Sequence, residues 1–352
     1  MESRSRFVHQ SRRSKERPSN GHCAFRARGA NVPITLARAE RHVKEQASRL
    51  TANRSRWPHF LYHACDVTTA VNIVRHNELR SRNEAADFLD VANGGALNIF
   101  DGAHSCARLY FRPKNGFHFR TEGIKCIADQ WRLPNHMSIP VMFLFDFVSV
   151  ITLPGAKFSN GNVQRAKMFL DGDASFNQLD FDAVYHDAPT TPDNKEYITN
   201  MRMSEVSVEG RVPLAPHLRA IVFRTQSDMR TFEYLLEMAG IHCPYKLLVE
   251  RARGTLFLAR ALYLNDLSFA GNTISLTFNF PTDFSPPDRI FKVYINQTVG
   301  HISNTYDKSV ELRAPTFNVT NYNPDKSGVW LIRLEDQLAF RGRLQAEPSE
   351  LF

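Results

Sequence analysis

The sequence predicts an α+β fold, and three observations carry that prediction. Strand-like and helix-like runs are mixed along the chain, the regular βαβ spacing of a doubly wound sheet is missing, and the last hundred residues alternate with period two. The bulk numbers agree: 352 residues, 43% hydrophobic and 23% charged, suit a globular chain with one large domain and an accessory. The apolar run "PVMFLFDFVSVITL" (Pro140–Leu153) is interrupted by Asp146 and too short to span a bilayer, so no membrane partner is expected.

Charge is concentrated at one end. Residues 1–56 hold 12 Arg and 2 Lys against 4 Glu, a net of +10, which leaves the remainder near −2 out of a total of +8. The basicity is therefore an appendage. Residues 1–32 show no apolar period and are expected to be a disordered arm. Its arginines, Arg12 and Arg13 among them, suit phosphate groups, because guanidinium pairs bidentately and releases counterions. The arm has no apolar stretch of the kind a secretory signal needs. Five scattered cysteines, an odd number, argue against a disulfide framework or a zinc site and for a reducing, cytoplasmic setting without a metal.

From Pro33, "PITLARAERHVKEQASRL" places Ile34, Leu36, Ala39, Val43, Ala47 and Leu50 at helical intervals, which predicts a basic amphipathic helix. The run "FLYHACD" alternates as a strand, and Asp66 then caps a helix whose Val67, Ala70, Val71 and Val74 form one apolar stripe. A long polar loop with "NGGALN" follows. "ARLYF" is the next strand, "EGIKCIADQW" a helix, and "PVMFLFDF" a strand covered on both faces. After the turn "KFSNGN" come the helix "VQRAKMFL", a strand "FDAVYH", the loop "DAPTTPDNK" and the alternating run "NMRMSEVSVEG". "LRAIVFRT" is a strand, and "DMRTFEYLLEMAG" a helix ended by Gly240. Beyond residue 254, "NTISLTFNF", "RIFKVYIN", "VELRAPTFNVT" and "GVWLIRL" predict a β-rich module, a small sandwich. The expected organisation is a basic arm with its helix over 1–56, a catalytic domain over 57–253 and the β-rich domain over 254–352.

Motifs of the common nucleotide and hydrolase sites are absent: there is no P-loop, no Rossmann glycine fingerprint and no nucleophile elbow. What remains are polar residues at the edges of apolar strands. Taken singly, His63 reads as a core histidine, Tyr110 as a core aromatic, Arg82 as a helix-end charge and Glu205 as a solvated strand residue.

In order, they resemble something else. "LYHACDVTTAVNIVRHNELRSRN", "ARLYFRPKN", "KFSNGN" and "LDFDAV" leading to "RMSEV" resemble the DarT family of nucleic-acid-modifying ADP-ribosyltransferase toxins, over roughly residues 58–236. The resemblance implies an ADP-ribosyltransferase-like split-sheet core that binds NAD without a glycine-rich phosphate loop. It implies that His63 hydrogen-bonds a ribose of NAD and that Tyr110 packs on the nicotinamide. It implies that Glu205 accepts from the nicotinamide-ribose 2′-hydroxyl, stabilises an oxocarbenium-like state and takes a proton from the attacking base. The family carries a catalytic arginine in a basic run before the tyrosine strand, and that run is missing here. Arg82 is ranked ahead of Arg108 for the role, with Arg108 also placed among the NAD contacts.

Two loops would set the substrate. Asn83–Ser105 could cover NAD, and Asp187–Arg202 precedes the glutamate strand. In the second, Lys195 offers a phosphate contact, Asn194 a base-edge hydrogen bond and Tyr197 a stacking surface for an unpaired strand. The expected activity is mono-ADP-ribosylation of a nucleobase in single-stranded DNA. RNA or protein acceptors, and a non-catalytic nucleic-acid binder, stay open. The resemblance further implies a macrodomain antitoxin and a role in toxin–antitoxin or phage-defence systems.

Overall fold

A computed structural model describes residues 32–85, 100–125, 136–258, 260–270, 272–279, 290–312, 314–320 and 328–343. All belong to one compact unit, Asn31–Phe352. Arg12 and Arg13, most of the loop after Asn83 and most of the helix expected in "EGIKCIADQW" lie outside the described residues.

Helix α1 (Leu36–Arg49) starts where Thr35 accepts a bond from the Arg38 amide at 3.2 Å. Ala39, His42 and Gln46 are its buried side, spaced three and four apart. His42 Nε2 lies 3.1 Å from the Tyr185 hydroxyl, and its ring packs among Phe147, Phe176 and Phe181. Burial, and then the Arg38 charge, push the His42 pKa down to about 3, so it is neutral. The helix therefore packs into the main core.

The main sheet comprises β1 (Phe60–Asp66), β3 (Cys106–Tyr110), β4 (Pro140–Asp146), β5 (Ala156–Phe158), β6 (Glu205–Glu209), β8 (Leu218–Phe223) and β9 (Leu247–Val249). Their order is β5-β6-β3-β1-β4-β8-β9, antiparallel except for β8 and β9. β1 lies against β4 along its whole length, Phe60 opposite Asp146 through Asp66 opposite Pro140. Against β3 its register is the single pair Tyr62 opposite Tyr110. The sheet is thus two halves joined at a narrow seam, which is the split core expected. A small ribbon of β2 (Glu78–Arg80) and β7 (Arg211–Pro213) lies beside them.

Helix α2 (Val67–His76) follows β1 directly, because Asp66 caps it through the Thr68 amide at 3.0 Å. Next come α3 (Gly116–Thr121), α4 (Phe147–Ile151), α5 (Val163–Ala166), α6 (Gly172–Phe176), α7 (Phe181–Val184), α8 (Lys195–Met201) and α9 (Gln226–Met238). Two expectations change here. "FDAVYH" is the helix α7: Asp180 accepts from the Ala183 amide at 3.0 Å, and Phe181, Val184 and Tyr185 are buried at helical spacing. The end of the loop "DAPTTPDNKEYITNMR" is the helix α8.

The C-terminal strands form a three-stranded sheet, β10 (Tyr263–Ala270), β11 (Thr273–Asn279) and β14 (Thr316–Val319). They also form a four-stranded one, β13 (Ile302–Glu311), β12 (Ile290–Val299), β15 (Val329–Leu334) and β16 (Gln337–Arg343). Both enclose a second core that includes Leu276, Phe278, Ile295, Trp330 and Ile332. Alternation made this module legible, since one face of β12 is buried and the other is not. It is fastened to the main core by the Arg224 guanidinium, 4.1 Å from the Tyr263 ring centroid, and by a 3.1 Å bond from the Arg341 amide to the Thr231 hydroxyl. Gly123 has φ +89°, and a Cβ there would stand 2.1 Å from the Ala261 Cβ, so only glycine fits this crossing.

Candidate active site

Glu205 is the first residue of β6, and Tyr110 lies directly opposite it on β3. Arg108 lies opposite Ser207. Residues two apart share a face of a strand, so Arg108, Tyr110, Glu205 and Ser207 form one row beside the seam. Arg108 donates two bonds to Glu205, Nε to Oε1 at 2.9 Å and Nη2 to Oε2 at 2.6 Å. Glu205 is 0% exposed, whereas the Arg108 side chain is 30% exposed. The expectation of a solvated strand glutamate, taken singly, is overturned: β6 is buried on both faces from Glu205 through Val208.

His63 belongs to the same row of contacts. Its Nδ1 donates to the Arg108 carbonyl at 3.1 Å, across the seam where strand pairing is thin. Burial pushes its pKa down to about 4, with the carbonyl bond opposing and the Arg108 charge assisting, so the imidazole is neutral at pH 7. That bond fixes the tautomer and leaves Nε2 as the acceptor. Burial raises the Glu205 carboxyl above its ordinary range, opposed by the Arg108 charge and its hydrogen bond and by the Ser207 hydroxyl. Burial also pushes the Tyr110 hydroxyl up to about 12, so it stays protonated. The site is a neutral acceptor, a phenol and a desolvated carboxylate held in the fork of a guanidinium.

The Glu205 backbone is held as well. The Glu205 amide donates to the Ser159 hydroxyl at 3.1 Å, and the Ser159 amide returns a bond to the Glu205 carbonyl at 2.9 Å. Ser159 also donates to the Gly161 carbonyl at 2.7 Å, and the Gly161 amide to the Ser204 hydroxyl at 2.8 Å. The turn "KFSNGN" is therefore a clamp on the start of β6. Gly161 has φ +88°, and a Cβ there would meet the Asn200 amide nitrogen at 2.2 Å. Gly161→Ala is expected to destabilise the protein by about 1–3 kcal/mol and to lower activity through Glu205. A thermal melt together with turnover checks this, and unchanged values for both would show that the clamp does not position the site.

Sequence reasoning missed Arg112. It is almost wholly buried under the Trp57 ring, 4.8 Å from its centroid, and bonds the Val184 and His186 carbonyls and Asp187 Oδ1, the last at 2.7 Å. Lys114 adds a 3.0 Å bond to Asp187 Oδ2. Arg202 donates to the His186 and Ala188 carbonyls at 2.9 Å and 2.7 Å, in keeping with a structural role. Together these fix residues 186–188, the start of the segment expected to face the acceptor. The signal available was an arginine placed immediately after the apolar strand "LYF".

The remaining predicted residues are spread wider. Arg82 lies in the turn after β2, where the Ser81 amide bonds the Gly210 carbonyl, at the far end of β6 from Glu205. Five residues of strand separate those ends by about 16 Å, and the guanidinium on Glu205 is Arg108's. Lys195 is exposed at the start of α8, and Asn194 Oδ1 accepts from the Thr191 amide at 2.9 Å. Tyr197 is 51% exposed, with its hydroxyl on Asp180 Oδ2 at 2.8 Å, which leaves the ring face open for stacking. Among the described residues no group of three or more His, Cys, Asp or Glu could hold a metal ion, and no helix is long and apolar enough to cross a membrane.

No family model matches the chain, and no curated protein matches it. Among solved structures it is similar to the DarT of Thermus sp. 2.9 in complex with NAD+, at 13% identity and a TM-score of 0.42, over 55% of this chain and 96% of that one. It is similar to the same protein in complex with ADP-ribosylated single-stranded DNA, at 14% identity and a TM-score of 0.44, over 55% of this chain and 95% of that one. Such a likeness is distant, and the chemistry of the site rests on its own residues.

Proposed function

We propose that the chain is an NAD-dependent mono-ADP-ribosyltransferase that modifies a nucleobase in single-stranded DNA. The observation that carries this reading is the buried Glu205 carboxylate, opposite Tyr110 and gripped by Arg108, at the seam of a split sheet. NAD, when bound, supplies an anomeric carbon with nicotinamide as its leaving group. Glu205 is suited to accept from a ribose hydroxyl next to that carbon and to oppose positive charge developing there, a favourable arrangement because the site is desolvated. His63 Nε2 can accept from a second hydroxyl, and the Tyr110 ring offers a flat wall. Nicotinamide leaves as a neutral molecule, the acceptor nitrogen bonds to the anomeric carbon, and the proton this nitrogen loses passes to Glu205 and on to solvent.

An unpaired strand is the cheaper acceptor, since a duplex base would first have to be flipped out. Tyr197 and Lys195 on α8 suit such a strand. RNA remains the second reading through the same residues. A macrodomain antitoxin and a toxin or phage-defence role belong to this proposal through the family resemblance alone, and a cytoplasmic setting through the scattered cysteines. Incubation with labelled NAD and separate pools of single-stranded DNA, RNA and protein tests it. Label is expected on DNA, and label on protein alone would overturn the reading.

A further inference from the structure

The segment from Glu250 to Leu262 joins the two cores and lies outside the stretch that resembles DarT. Its backbone is wrapped around two carboxylates. Glu250 Oε1 accepts from the Leu256 and Phe257 amides at 2.5 Å and 3.4 Å, and Glu122 Oε2 accepts from the Leu258 amide at 2.9 Å. Lys114 binds the Gly254 carbonyl at 2.7 Å, which ties the loop to the chain leaving the tyrosine strand. Turned inward, the acids serve the backbone, while Arg251, Arg253 and Arg260 are all exposed.

Arg260 stands over the ring of Phe119, 5.7 Å from its centroid, and Phe119 is 58% exposed on α3. An exposed phenylalanine beneath a guanidinium is a poor solvent face but a good platform for a planar base. Its neighbour Arg120 is exposed too, and the helix carrying both begins six residues after Tyr110, on the chain that Lys114 ties to this loop. Arg120, Arg251 and Arg260 make no ion pair among the described residues.

We infer that this loop, with Phe119, is a binding surface for single-stranded nucleic acid. Arg251, Arg253 and Arg260 would bind successive phosphates, and Phe119 would stack one base on the approach to Tyr110 and Glu205. The inference rests on the nucleic-acid reading of the site and adds where the strand runs. The chain's surplus of positive charge lies in residues 1–56, so a local cluster in a nearly neutral remainder marks a place and not a general basicity.

The test uses the full chain and a labelled, mixed-sequence single-stranded DNA of roughly 20 nucleotides, with affinity followed from about 50 to about 200 mM salt. The triple variant R251A/R253A/R260A is expected to reduce the slope of log affinity against log salt by about 2, three contacts at about 0.7 each. Phe119→Ala is expected to weaken binding about 5- to 150-fold with little change of slope. Thermal melts confirm that both variants fold. An unchanged slope in the triple variant, with Phe119→Ala binding normally, overturns the surface. So does a triple variant that loses only its attachment to vesicles carrying phosphatidylserine, which would make the patch a membrane contact. Label transfer from NAD to the same DNA at a saturating concentration, measured in parallel, reports on the Glu205 site. Its absence from the wild type would overturn the enzyme reading independently of the slope result.

Discussion

Glu205→Gln is expected to lower transfer from NAD by about 10³-fold in kcat/KM while the protein stays folded. The amide keeps the shape of the carboxyl and removes the charge that would oppose a developing cation and take the acceptor's proton. Folding should tolerate it. Burial holds the Glu205 carboxyl above its ordinary range, so its contribution to stability is present at low pH and declines as pH rises through that raised value. Wherever the group is ionised it is therefore a strain that glutamine relieves. Arg108, partly exposed, can turn to water. Turnover within a few-fold of wild type in a well-folded Glu205→Gln protein would remove Glu205 from the chemistry.

Arg108→Gln should act in the opposite sense on stability. Deleting the guanidinium strands a carboxylate that is 0% exposed, a loss of about 3–5 kcal/mol for a buried pair, and nearer the lower figure here because the Arg108 side chain is 30% exposed. The loss depends on pH. Without Arg108 the Glu205 carboxyl titrates higher still, and at low pH, where it is protonated in both proteins, the gap in stability narrows. Remaining activity should show its acid limb shifted to higher pH, because the base must be ionised to work. Urea melts at about pH 5 and about pH 8, with a pH–rate profile, read both effects. A stability loss that is the same at every pH would mean that Arg108 acts through packing and not through the charge of Glu205.

Much of the fold was legible because its signals are local. Asp66 caps α2 within its own turn, and the alternation in "NTISLTFNF" already divides the buried face of β11 from the other. Where local signals were degenerate, the expectation failed. "FDAVYH" places Phe181, Ala183 and Tyr185 at strand spacing, yet Phe181, Val184 and Tyr185 equally fit a helix, and the Asp180 cap with the aromatic pocket around His42 selects the helix. Arg112 escaped notice because its bonds go to carbonyls more than seventy residues away.

The sequence by itself determined that His63, Tyr110 and Glu205 sit in strands, in an order resembling a known family, because strand periodicity and residue order are properties of the chain. Only the tertiary structure decided that Glu205 is buried and that Arg108 holds it. Alternation says which residues share a face, but not what covers that face. The antiparallel register of β3 on β6 sets Tyr110 against Glu205 and brings Arg108 within reach, and a shift of one residue would have turned the same side chains to opposite faces.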